Sequence, residues 1–138
     1  MKADEVLLLD EMSRLAEALA KIQEQVQWKP GKDFIHLDKR QKLKHLPQDA
    51  SISDYEALIH EIVRNRQNIL YLYEFGKTHY YVARGFADDT DWIVLFGAGG
   101  LMETAFSPES IDDYIARRGF IFLGYIAEVL EWTKEVKK

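Results

Sequence analysis

Residues 33–46, DFIHLDKRQKLKHL, set two histidines among four Lys/Arg residues. If the stretch is helical, His36, Arg40 and Lys44 recur every four residues and share one side, while Ile35, Leu43 and Leu46 form an adjacent apolar strip for the core. An imidazole beside two fixed cations suits RNA transesterification, in which a base takes the 2′-hydroxyl proton and an acid protonates the leaving oxygen. The cations stabilise the charge on the phosphorane between those two steps. On an ideal helix His45 lies about 100° around from Lys44, away from that side. The same spacing also describes a solvated charged helix whose histidines cap or pack.

The segment is basic against its surroundings. The 138-residue chain has a formal net charge of −5, yet residues 29–45 hold six Lys/Arg and only Asp33 and Asp38 on the acidic side. The remainder is therefore strongly acidic, which argues against general nucleic-acid coating but leaves room for a local grip on a few phosphates. The chain contains no cysteine, which excludes a disulfide framework, thiol catalysis and a thiolate metal site. Acidic Asp4, Glu5, Asp10 and Glu11 flank the apolar tetrad Val6–Leu9, unlike the basic start of a signal peptide, so a cytoplasmic protein is expected. No apolar run nears the roughly 20 residues that span a bilayer, so no membrane association is expected.

The elements that must position these residues follow from periodicity. Val6, Leu8, Leu9, Met12, Leu15, Ala16, Leu19, Ile22 and Val26 recur at helical intervals over residues 4–28, and Pro30 and Gly31 end that helix. Residues 33–46 are expected as a short helix closed by Pro47. A third helix follows Ser51 or Ser53 as N-cap, with Tyr55, Leu58, Ile59, Ile62 and Val63 as its apolar stripe and His60 at the boundary. The segments NILYLYEF, HYYVARGF, WIVLFGA and LMETAF are aromatic, β-branched and short, and GKT, ADDTD and GAGG join them. Four strands in an antiparallel meander are the economical topology. Ser107 and Pro108 suit an N-cap and first turn, with Gly119 as the stop, and FIFLGYIAEVLEWTKEVKK fits a strand that finishes as a helix. The expectation is one α+β domain over 1–138: an N-terminal helix over 1–30, a core over 33–106 and a C-terminal helical extension over 107–138.

Other motifs carry less. GAGG has neither the Lys-Ser/Thr ending nor the following helix of a phosphate loop and reads as a turn. Asp88, Asp89 and Asp91 read as a solvated hairpin loop. Alternation places Thr78, Tyr80, Val82 and Arg84 on one face of a strand, and Met102, Thr104 and Phe106 on one face of another.

The order of these features, HLDKRQKLKH, then DYEALIHEIVRNRQNI, then THYYVARGF, WIVLFG and LMETAF, resembles the barnase, EndoU, colicin and RelE-like superfamily of small metal-independent ribonucleases, in particular its phage-associated branch. The resemblance spans about residues 34–106. It departs at NRQNIL, where the family often carries a proline. It implies His45 as the principal acid/base, Arg40 and Lys44 as phosphate contacts, and Thr104 as the polar residue of the last strand, holding a phosphate or ribose oxygen. His36, Lys39, Arg84 and His79 rank second. It also implies RNA as substrate, no cofactor, no metal, and a cognate inhibitor as a protein partner. Two other readings stand beside it: an acidic immunity or antitoxin-type protein that binds a basic toxin, and an inactive RNA-binding relative.

Overall fold

The computed structural model describes residues 2–137, and side chains within 13–131. Five α-helices surround a six-stranded mixed sheet. In chain order these are α1 (Lys2–Glu24), β1 (Gln27–Trp28), α2 (Lys32–Lys42), α3 (Ile52–Arg64), β2 (Ile69–Phe75), β3 (Thr78–Ala87), β4 (Thr90–Phe96), β5 (Leu101–Phe106), α4 (Ile111–Arg118), β6 (Ile121–Tyr125) and α5 (Ile126–Lys137). The expected α+β class holds. The expected four-stranded meander is the antiparallel centre, β2 to β5, of a larger sheet ordered β1-β5-β4-β3-β2-β6. The expected meander leaves out the two edges of this sheet. β1 is only two residues long and pairs in parallel with β5, too short to carry an alternating pattern. β6 is the strand expected at the start of the C-terminal segment, and it joins the sheet, antiparallel to β2, where the four-strand meander left it out.

Local chemistry explains the elements. Ser51 accepts the Asp54 backbone N–H while the Asp54 carboxylate accepts the Ser51 N–H, a reciprocal cap that starts α3. All five residues of the α3 stripe are buried. Asp88 and Asp89, both left-handed at φ 55° and 61°, make the two-residue turn between β3 and β4. The GAGG segment becomes a tight 3-10 turn over Ala98–Gly100 against α1. There Gly100 has φ 80°, and an added Cβ would sit 2.7 Å from Lys21 Cβ and 2.9 Å from the Ala18 carbonyl oxygen, so only glycine lets helix and turn meet. Helix α4 begins at Ile111, not at Ser107 and Pro108, and Gly119 at φ 70° ends it as expected. The apolar residues Val6–Met12 of the first helix lie outside the described side chains.

The two faces of the sheet are covered unequally. On one, α1, α3 and α5 bury Leu19, Ile22, Ile59, Ile62, Trp92, Val94 and Phe96 in a continuous core. On the other, the eight-residue α4 covers only a smaller cluster around Tyr71, Val82 and Ile93. Val94 pairs with Ala105 and Leu95 with Thr104 across β4 and β5, so Ala105 faces the large core and Thr104 the partly covered side. Among the described residues no helix is long and apolar enough to cross a membrane.

Candidate active site

Helix α2 rests on the protein by a side that its hydrophobic pattern did not indicate. Leu37 and Arg40 are its buried residues, whereas the expected core residues Ile35 and Leu43 are 58% and 54% exposed. Of the expected strip only Leu46 is buried. The reason is a charge that packs inward: Arg40 is 3% exposed.

The helix ends at Lys42, two residues before Lys44. Lys44 is left-handed at φ 62°, its N–H bonds the Gln41 carbonyl at 3.0 Å, and the His45 N–H bonds the Arg40 carbonyl at 2.8 Å. These are the paired bonds of a left-handed helix stop. Lys44 is thereby turned outward, exposed and away from Arg40, contrary to the expected shared side. His45 is turned back: Arg40 Nη1 donates to His45 Nδ1 at 3.2 Å. The ideal-helix argument that separated these two side chains fails because the helix does not continue.

His45 Nδ1 also accepts the Ser107 backbone N–H at 3.4 Å, and the ring stands edge-on to Trp92 at 6.0 Å. With two N–H donors at Nδ1, the neutral ring carries its proton on Nε2. Burial, and then the charge of Arg40, hold the His45 pKa below its usual 6.5. His36 stacks on Trp28 with ring centres 5.8 Å apart, and its Nδ1 is 3.3 Å from Thr104 Oγ1. Its pKa is lowered too, first by burial and then by Arg40, Lys32 and Lys39.

A second layer fixes these groups. Trp28 packs on Tyr55 at 5.5 Å and donates its Nε1–H to Glu56 at 2.9 Å. Tyr55 donates its hydroxyl to the Ala105 carbonyl at 2.5 Å, which ties the residue next to Thr104 to α3. Burial raises the Tyr55 pKa to about 12, so the phenol stays protonated and remains a donor. Nothing about Trp28 or Tyr55 in the sequence points to the site, because each reads as an ordinary core aromatic.

Arg40 is the centre. Its guanidinium carbon lies 5.6 Å over the Phe106 ring, its Nε is buried without a hydrogen-bond partner, and among the described residues no carboxylate forms an ion pair with it. A buried cation normally has a counter-charge. Arg40 opens instead onto a groove of about 940 Å³, with His36, Lys39, His45 and Thr104 on one wall and Tyr114, Arg117 and Arg118 of α4 on the other.

Four of the sequence candidates thus converge with Arg40: His45, Thr104, His36 and Lys39. Three do not. Lys44 points away, Arg84 pairs with Asp112 at 3.0 Å beneath α4, and His79 pairs with Glu74 at 3.2 Å on the β2–β3 hairpin. Arg117 and Arg118 read in the sequence only as part of a helix, and Ser107 only as a cap. Among the described residues no three His, Asp or Glu side chains group so as to hold a metal ion. No family model matches this chain, and no curated protein and no solved structure matches it.

Proposed function

We propose that this groove cleaves RNA by transesterification at the 2′-hydroxyl, as an endoribonuclease of the type the sequence resembles. The observation that carries the reading is Arg40, a buried guanidinium without a carboxylate partner, bonded to the His45 imidazole and lining an open groove together with His36. A phosphate in the groove would supply the missing counter-charge to the guanidinium.

The two histidines differ in what they can offer. When His36 donates Nδ1–H to Thr104, its Nε2 carries a lone pair, and its lowered pKa keeps it neutral at pH 7. His36 is then the base that accepts the 2′-hydroxyl proton as the 2′-oxygen bonds to phosphorus. Arg40 stabilises the negative phosphorane. As the bond from phosphorus to the 5′-oxygen breaks, that oxygen takes a proton from His45. Substrate prepares this second step, because a phosphate that draws the Arg40 donors to itself leaves only the long Ser107 N–H contact at His45 Nδ1, and its negative charge favours the imidazolium, whose extra proton comes from water. The products are a 2′,3′-cyclic phosphate and a 5′-hydroxyl, and the histidines return to their starting states by proton exchange with water. His36 thus moves from a secondary candidate to the base, and Thr104 becomes the group that holds its ring by Nδ1.

The test is cleavage of RNA in EDTA by the purified chain, with analysis of the ends. Cyclic phosphate ends are expected, with losses of about 10²–10⁴-fold for His36→Gln or His45→Gln. Cleavage absent from the parent chain, or unchanged in these variants and in Arg40→Met, overturns the reading. The acidic remainder of the chain supports a second one, a non-enzymatic partner of a basic toxin. Tight binding of a basic protein with no change to RNA would favour it.

A further inference from the structure

We propose that the groove is one end of a longer track for single-stranded RNA, which crosses the uncovered half of the sheet to the β2–β3 hairpin; this rests on the ribonuclease reading. Three depressions join end to end. The groove at Arg40 shares His36 and Thr104 with a depression of about 280 Å³, which in turn shares Lys29 and Glu103 with one of about 560 Å³ reaching Lys77 and Tyr80. They follow the sheet. Thr104 of β5 pairs with Leu95 of β4, Leu95 pairs with Val82 of β3, and Tyr80 lies two residues from Val82 on the same face. Stepping from β5 to β3 covers about 10 Å, at roughly 4.8 Å per strand.

Charge selects the occupant. Eight Lys/Arg and three Asp/Glu line the three depressions together, a local excess of five positive charges in a chain whose formal net charge is −5. Glu103, the acidic group in the middle, is engaged by Lys29 at 2.7 Å. A polyanion is the ligand such a stripe attracts. Tyr80, half-buried with its ring 6.2 Å from Tyr73, gives the far end an aromatic floor. Only an unpaired base can stack there, which favours a single strand over a duplex. In this arrangement the scissile phosphate lies at Arg40, a neighbouring phosphate at Lys32, and a base further along on Tyr80.

Two measurements on the full chain test this. A 2′-O-methyl RNA nonamer, which cannot be cleaved through the 2′-oxygen, reports binding by fluorescence anisotropy, and a dinucleotide substrate reports the chemistry alone. Lys32 and Lys77 are both exposed, so charge reversal at both leaves the fold intact. Lys32→Glu with Lys77→Glu is expected to weaken nonamer binding about tenfold or more and to flatten its log–log salt slope by about 1.4, because each phosphate that a single strand has neutralised adds about 0.7 to that slope. Tyr80→Leu is expected to weaken binding without changing the slope. Dinucleotide cleavage stays at the parent rate in Tyr80→Leu and in Lys77→Glu alone; Lys32→Glu removes a charge that lowers the His36 pKa and so shifts the pH profile of cleavage, and only its effect on nonamer binding bears on the track. Nonamer affinity unchanged in both the charge and tyrosine variants, or no tighter than that of a trinucleotide, overturns the track, while continued cleavage of the dinucleotide leaves the ribonuclease reading standing. Nonamer binding that falls in the variants, with no cleavage by the parent chain, supports the track and overturns the ribonuclease reading instead.

Discussion

The two faces of the sheet solve opposite problems. On the face under α1, α3 and α5, the fully buried large side chains, among them Ile59, Ile62, Trp92 and Phe96, contribute through removal of apolar area from water. On the face under α4 the most buried side chain of the groove's charged set is the cationic Arg40, held by a neighbouring imidazole and the face of Phe106. The first face stabilises the protein; the second keeps a charge desolvated that free energy alone would send back to water. A buried guanidinium persists there because the large core on the other face supplies the stability that Arg40 does not.

The sharpest way to break this comparison is to remove one side chain from each face. Ile62→Ala is expected to destabilise the protein by about 3 kcal/mol, through the forfeited transfer free energy and the cavity left behind. Arg40→Met, which replaces an unpaired buried charge by an apolar group of similar length, is expected to leave stability unchanged or raise it while abolishing RNA cleavage. Urea unfolding of both variants decides the matter: an Arg40→Met protein as unstable as Ile62→Ala would mean that Arg40 is structural. A smaller effect lies where the faces meet. Tyr55→Phe removes the donor to the Ala105 carbonyl and is expected to cost about 1–2 kcal/mol, with a fall in activity as Thr104 loses its support. Unchanged activity would detach the second layer from the site.

Acid should act more on the open face. His36 and His45 both have folded pKa values below the usual 6.5, first because of burial. The unfolded chain therefore takes up protons that the folded chain refuses, so the stability these groups contribute is present above pH 6.5 and is lost as pH falls below it. The melting temperature is expected to fall between pH 7.5 and pH 5.5, and to fall less in His45→Gln. His60 on α3 shares the direction, again through burial, and supplies part of the fall that the His45 variant retains. An identical pH dependence in the parent chain and in His45→Gln would remove Arg40 and burial as influences on that ring.

The better-covered face is also the one that sequence periodicity anticipates. The α3 stripe and the four central strands follow from spacing and turn residues, because burial there obeys the periods of helix and strand. The open face obeys rarer rules. Periodicity puts Ile35 inward and leaves Arg40 on the polar side, whereas the structure exposes Ile35 and buries Arg40, because an inward cation makes sense only once Phe106, His45 and the groove are in place. Thr104 and His36 are present in the sequence as candidates, but the hydrogen bond that joins them crosses 68 positions and depends on β1 placing Trp28 under the imidazole. A two-residue strand has no periodicity to detect.

The smallest predicted effect isolates the one backbone feature that no spacing rule supplies. Lys44 stands in the left-handed conformation at φ 62°, where its side chain makes the backbone unfavourable by about 1 kcal/mol, and glycine is the residue that ends helices most readily there. Its ammonium is exposed and outside the groove, so it contributes neither to the core nor to the hydrogen bonds around Arg40. Lys44→Gly is therefore expected to raise stability slightly, by less than about 1 kcal/mol because glycine also loosens the unfolded chain, and to leave cleavage unchanged. Lys44→Val, which tolerates positive φ poorly, is expected to lower both stability and cleavage, unwinding the turn that carries His45 back onto Arg40. If valine leaves cleavage at the parent rate, the reversal at Lys44 is only a helix ending, and the meeting of His45 with Arg40 is not what makes the open face reactive.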